Sequence, residues 1–122
     1  MNALFVHYGE GTANSLNHIG VFARCLLAQG HLVAATGPDN WAATWSERPE
    51  ALRCFSHRKL LTDPGQLNWN GNTIIHLWTP RAPGAPVATM LRRQFGEQAR
   101  LVVHLEDNEA HLYQEAIRKA KE

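Results

Sequence analysis

The sequence predicts an α/β domain built on a doubly wound parallel sheet of five strands, and three observations carry that reading. Short, near-continuous apolar runs recur along the chain, among them "NALFVHY", "HLVAATG", "TIIHLW" and "RLVVHL". Runs of that kind suit strands buried on both faces, where an antiparallel sheet with one wet face would alternate. Between most of them lie stretches with apolar residues at helical spacing. The spacing between runs also leaves room for crossover helices, so the expected topology is Rossmann-like, in strand order 3-2-1-4-5 with helices on both faces.

Each element follows in order. Asn2 to Tyr8 is the first strand, ended by the glycine-bearing stretch "GEGTAN". Asn14 or Ser15 offers an N-cap, and Ile19, Phe22, Ala23, Leu26 and Leu27 form one helical face. Gly30 stops that helix, and His31 to Gly37 is the second strand. Pro38-Asp39-Asn40 reads as a turn and cap, with Trp41 and Trp45 marking a short helical face. Ala51 to His57 is the third strand, and Arg58 to Asn72 reads as long and irregular, with Pro64-Gly65 and Asn70-Gly71 as turn signals. Thr73 to Trp78 is the fourth strand. A proline-rich loop, "TPRAPGAP", then leads to a helix carrying Val87, Met90, Leu91 and Phe95, closed by Gly96. Arg100 to Leu105 is the fifth strand, and Asp107 or Asn108 caps a last helix. That helix ends "EAIRKAKE" without a C-cap glycine, which leads us to expect residues 1–122 to be a single Rossmann-like domain cut from a larger protein.

Composition bounds the function. A chain of 122 residues with 44% hydrophobic content is long and apolar enough to bury a core. Its formal net charge of +1 lacks the basic surplus that a dedicated nucleic-acid binder needs. Cys25 and Cys54 are too few for a disulfide framework and read as unbridged thiols. No run approaches the length of a membrane span, and the start "MNALFVHY" lacks a basic region and a cleavage site, so a cytoplasmic location is expected, with peripheral membrane contact left open.

Ligands of doubly wound sheets bind beyond the C-terminal ends of the strands. That groups "GEGTAN", "TPRAPG" and "EDNE", after the first, fourth and fifth strands. Gly9, Glu10 and Gly11 begin a loop leading to a helix start, which suits an anion or is simply a turn. Asn14 stands where a dinucleotide fingerprint has its third glycine, and the second strand ends Ala35-Thr36-Gly37 without the expected acid. A nicotinamide or flavin cofactor is therefore not expected. His104 closes the fifth strand before an acidic turn and is the best-placed candidate site residue. His76, mid-strand, reads first as a hydrogen-bonded core histidine. Thr79, Arg81, Glu106 and Asp107 fall on the same rim; Glu106, Asp107 and Glu109 could include an acid/base pair, but a cap is needed at Asp107 or Asn108 and first-turn acids favour the helix dipole, which is the leading reading. The histidines show no ligand-like spacing, and no metal is expected.

"NHIGVFARCLLAQGHLVAATGP" resembles the first helix and second strand of GT-B glycosyltransferases of the glycogen-synthase-like, retaining family-four type. "NTIIHLWTPR" is similar to their fourth-strand segment and "ARLVVHLEDNE" to their fifth strand. The resemblance spans Met1 to about Tyr113 and is weakest from Trp41 to Asn72. It implies the acceptor-side half of a two-domain transferase that moves a sugar from a nucleoside-diphosphate sugar to a hydroxyl acceptor, with retention and without metal or other cofactor. By position, Gly9, Glu10 and Gly11 would face the donor diphosphate and His104 the transferred sugar, with Thr79, Arg81, Glu106 and Asp107 on the acceptor rim. The donor-binding half would be needed for activity, so the chain alone is expected to be inactive. Two departures are plain: the first loop lacks the family's paired-glycine form, and Trp78 stands where the fourth-strand motif has a second histidine. The competing class is a non-catalytic Rossmann- or flavodoxin-like module that docks a nucleotide or a protein. A receiver domain is not expected, since "HYGEG" and "FSHRK" supply neither its acidic cluster nor its phospho-acceptor.

Overall fold

The computed structural model describes residues 1–9, 15–105 and 109–121. Strands β1 (Asn2–Val6), β2 (Leu32–Gly37), β3 (Arg53–Ser56), β4 (Thr73–Trp78) and β5 (Ala99–His104) form one five-stranded sheet in the order β3-β2-β1-β4-β5. Every pairing is parallel, with Phe5 opposite Ala35 on one side and His76 on the other, and Trp78 opposite His104. The expected fold class and strand order are those observed.

The pleat of β1 divides the core. Ala3 and Phe5 face Leu16, Ile19 and Ala23 of helix α1 (Ser15–Ala28). Leu4 and Val6 face Val87, Ala88 and Leu91 of helix α3 (Gly84–Phe95). Successive strand residues point to opposite faces, so a wholly apolar strand needs a layer on each side. Gly30 and Gly96 end α1 and α3 at φ +84° and +76°, a conformation glycine adopts without steric cost.

Four expectations are corrected. The stretch around Trp41 and Trp45 is a chain of turns rather than a helix. Its backbone bonds span three residues (Trp41 to Pro38, Ala43 to Asn40, Trp45 to Ala42), and Asn40 sits at φ +60°, which no α-helix accommodates. The two indoles still cover the sheet, 5.7 Å apart between ring centroids, and Trp41 Nε1–H donates to the Phe55 carbonyl at 2.8 Å. The third strand is also shorter than expected. It runs Arg53–Ser56, and its last residue, Ser56, paired with Gly37 in the sheet, also caps helix α2 (His57–Thr62), its Oγ accepting from Lys59 N–H at 3.2 Å. The region expected to be irregular thus holds α2 and a 3-10 turn over Pro64–Leu67. Third, the buried face of α1 is Leu16, Ile19, Gly20 and Ala23, and Phe22 is 45% exposed. Gly20 lets α1 lie against Trp45, a Cβ there being 3.4 Å from the indole, and that rotation turns Phe22 toward the ends of β4 and β5. Fourth, β1 stops at Val6 and β5 begins at Ala99. Helix α4 (Glu109–Lys121) is present; its expected cap, Asp107 or Asn108, lies outside the described residues.

Gly37 closes β2 directly beneath Trp41. A Cβ at Gly37 would stand 2.5 Å from Trp41 Cγ and Cδ2. The bond to Phe55 fixes that indole, so Gly37→Ala should cost about 1–3 kcal/mol by overpacking. Denaturant melts of Gly37→Ala, Trp41→Leu and the double variant check this. A non-additive cycle in which Trp41→Leu relieves the Gly37→Ala loss is the expected result.

Candidate functional site

Two imidazole systems stand at the C-terminal end of the sheet. The first is structural. His57, the first residue of α2, places Nε2 3.0 Å from the His7 carbonyl and Nδ1 3.0 Å from Thr36 Oγ1. A carbonyl only accepts, so Nε2 carries the proton and Nδ1 accepts from the threonine hydroxyl. Burial holds the His57 pKa below the usual histidine value, keeping the ring neutral as this pattern requires. His7 is fully buried, with Nε2 2.6 Å from Ser15 Oγ. Its Nδ1 lies 3.2 Å from Gly9 N and 3.0 Å from Gly9 O. These are two proton placements: Gly9 N–H to Nδ1 with Nε2–H to Ser15, or Nδ1–H to Gly9 O with Ser15 O–H to Nε2. Both occupy both ring nitrogens. Although the geometry is that of a serine beside its base, neither side chain is open to a substrate, and the pair ties the end of β1 to the start of α1.

The second system lies on the α1 face at the ends of β4 and β5. His104 is across the ladder from Trp78 and diagonal to His76. Its ring stacks on Trp78 at 4.2 Å and 15°. Its Nε2 is 2.8 Å from His76 Nδ1. His76 in turn stacks on Phe5 at 4.8 Å. Phe22 of α1 stands 5.5 Å from Trp78 and 5.9 Å from His104, and His18 5.9 Å from Trp78. The His76 pKa is pushed down to about 4 by burial, aided by His104, and burial lowers that of His104 as well. The pair is therefore neutral near pH 7. Among the described residues, His76 Nε2 is buried and has no hydrogen-bond partner.

The connection after β4 draws the strand ends together. Thr79 N–H donates to the His104 carbonyl at 2.9 Å. Thr79 holds φ +64°, a left-handed conformation costing a β-branched residue about 1–3 kcal/mol, and its buried Oγ1 has no partner. The Arg81 guanidinium lies 5.2 Å over the Tyr8 ring, joining this loop to the end of β1. The start of α3 offers an anion little: Ala85 N–H is taken by the Arg81 carbonyl and Pro86 has none.

Of the residues singled out in the sequence, Gly9, Thr79, Arg81 and His104 are described: Gly9 beyond the end of β1, Thr79 and Arg81 on the connection after β4, and His104 at the end of β5. Glu10, Gly11, Glu106 and Asp107 lie outside the described residues. His76, read first as a core histidine, is half-buried and bonded to His104. The register would have paired them: two histidines near the ends of neighbouring strands, in an otherwise apolar context. His57 was missed because the capping signal at Ser56 was read as strand. Cys25 and Cys54 are free thiols, and burial pushes Cys54 up to about 11, which leaves it inert. Among the described residues, no three His, Cys, Asp or Glu side chains gather as a metal site would require, and no helix is long and apolar enough to cross a membrane. A cleft of about 530 Å³ opens at the β3 edge beside Trp41, Arg48 and Lys59, away from the imidazole pair. It contains none of the rim residues above, so we place the candidate site at the rings, where the unfilled polar atoms are. No family model matches this chain, and neither a curated protein nor a solved structure matches it.

The buried imidazoles make stability depend on pH. For His57 and His76 the folded pKa lies below the unfolded value near 6.5. Their contribution is thus complete above pH 6.5 and is lost as pH falls, for His76 down to about 4. Denaturation midpoints should decline across that window, and His57→Gln should flatten the decline while lowering the plateau.

Proposed function

We propose that this chain is the acceptor-side Rossmann-like domain of a retaining sugar transferase that uses a nucleoside-diphosphate sugar and works against a second, donor-binding domain. The observation that carries the reading is the ring-lined rim at the ends of β4 and β5, with His104 stacked on Trp78 and bonded to His76, next to the end of β1. Trp78 is buried and backs the half-buried His104, so the ring faces open to a sugar's C–H face are those of His104 and the exposed Phe22, and a ring nitrogen suits its hydroxyls. The rim also occupies the position where ligands of such sheets bind, and the order of the sequence motifs supports the same assignment.

On this reading the chain contributes positioning and polar contacts rather than covalent chemistry. The sugar's bond to the leaving diphosphate breaks as the acceptor oxygen bonds to the anomeric carbon on the same face, and the acceptor's hydroxyl proton passes to an oxygen of the departing diphosphate. Negative charge collects on the diphosphate, and backbone N–H groups of the loop that starts at Gly9 would meet it, with basic groups from the donor side. His104 would hold a hydroxyl of the transferred sugar, and Thr79 and Arg81 the acceptor side.

The test is release of nucleoside diphosphate by the complete polypeptide, offered a panel of donor sugars and hydroxyl acceptors. His104→Ala should lower kcat per folded molecule by ~10- to 1000-fold, as for a contact that strengthens in the transition state, alongside the modest loss of melting temperature expected from losing its stack on Trp78 and its bond to His76. Loss of stability with full activity per folded molecule would make His104 structural. Gly9→Ala gives a second arm. Among the described residues a Cβ there meets His7 Cε1 at an ordinary 3.7 Å, so folding should be unaffected, and a fall in transfer would report obstruction of the diphosphate. The 122 residues alone should show no turnover above a heat-treated control, because donor and acceptor would not be held together.

A further inference from the structure

His76 and His104 share one hydrogen bond between two nitrogens, 2.8 Å apart. Two neutral rings make that bond only if one nitrogen carries a proton and the other does not. If His104 Nε2–H donated to His76 Nδ1, the proton of His76 would sit on its Nε2. That nitrogen is buried and without a partner, so the molecule would strand an N–H group in its interior. If His76 Nδ1–H donates to His104 Nε2, the stranded atom is a bare lone pair. Buried N–H groups without acceptors are the rarer failure in folded proteins, so the second arrangement is the less costly one.

We propose that His76 is a positioning residue for His104: its Nδ1–H holds His104 Nε2 as an acceptor, and so fixes the rim imidazole in the Nδ1–H form. His104 then faces a ligand with a hydrogen-bond donor and has no basic nitrogen to spare. Stacking against Trp78 fixes the ring plane and the bond to His76 fixes its spin about that plane, so the Nδ1–H vector is set on both counts. The matching ligand atom is an oxygen acceptor such as a sugar hydroxyl. That last step rests on the transferase reading; the tautomer does not. An imidazole left to itself in water favours the opposite, Nε2–H form, so the pairing has something to reverse.

Two-bond proton–nitrogen correlation spectra of the ¹⁵N-labelled chain, recorded above the histidine titration range, report the tautomer directly. His104 is expected in the Nδ1–H form. In His76→Asn, whose amide N–H₂ can stand where Nδ1–H stood, that form should persist. In His76→Phe it should be lost to the Nε2–H form. An Nε2–H His104 in the wild type, or an Nδ1–H His104 that survives His76→Phe, overturns the proposal. If His76→Phe does not fold, the wild-type spectrum still decides. No sugar enters this measurement, so its failure is distinct from failure of the transferase reading, which is the absence of transfer by the complete polypeptide.

Discussion

One hydrogen bond, from His57 Nε2–H to the carbonyl of His7, governs the end of the sheet where the candidate site stands. Beyond Val6 the central strand leaves its ladder on the β4 side, and the backbone of His7 keeps one ladder bond, its N–H to the Thr36 carbonyl at 2.8 Å. Its buried carbonyl accepts from His57 Nε2–H. To donate there, the imidazole needs its other nitrogen satisfied, which Thr36 of the adjacent strand does. Three segments thereby depend on one ring: the start of α2, the end of β2 and the end of β1. A single hydrogen bond of this kind is worth only about 0.5–1.5 kcal/mol net, but leaving the buried carbonyl unmade costs more than making the bond gains.

The same economy explains the turns after β2. Leucine-type packing would call for a helix over this face, yet Pro38, Asn40 at positive φ and Pro49 interrupt the only stretch available. Two indoles cover the area instead, one pinned by its N–H to Phe55. The solution requires Gly37 beneath one ring and Gly20 beside the other. Side-chain bulk replaces backbone regularity, and the chain depends on close approach where a helix would have been forgiving.

That substitution also marks where the sequence was legible. Strands β1, β2, β4 and β5 announced themselves because continuous apolar runs in a short chain have few other uses, and glycine at positions 30 and 96 ended helices for a reason local to the backbone. Trp41 and Trp45 have helical spacing but make successive three-residue turns, and spacing alone does not separate the two. His57 sat at the end of an apparent strand, where only Ser56 as a cap would have changed its reading. At the site, the strand order and the positions of His104 and Thr79 could be read from the sequence. The bond between His76 and His104 could not, because it depends on the parallel register that sets His104 opposite Trp78.

The two imidazole systems differ in a way that bears on what each is for. Both ring nitrogens of His57 meet groups that do not titrate, a carbonyl and a threonine hydroxyl, and His7 meets the Ser15 hydroxyl and the Gly9 backbone. His76 and His104 meet each other, and an interior nitrogen is left unfilled. Ile75 and Leu77, the neighbours of His76 along β4, are apolar, and an apolar residue at 76 would remove both the unfilled nitrogen and the polar burial. Stability alone does not explain the histidine there. Thr79, three residues on, adds a left-handed backbone and a second unfilled buried atom at the same strand end. Departures from local rules that cluster at one strand end are the pattern of a site shaped for something other than folding.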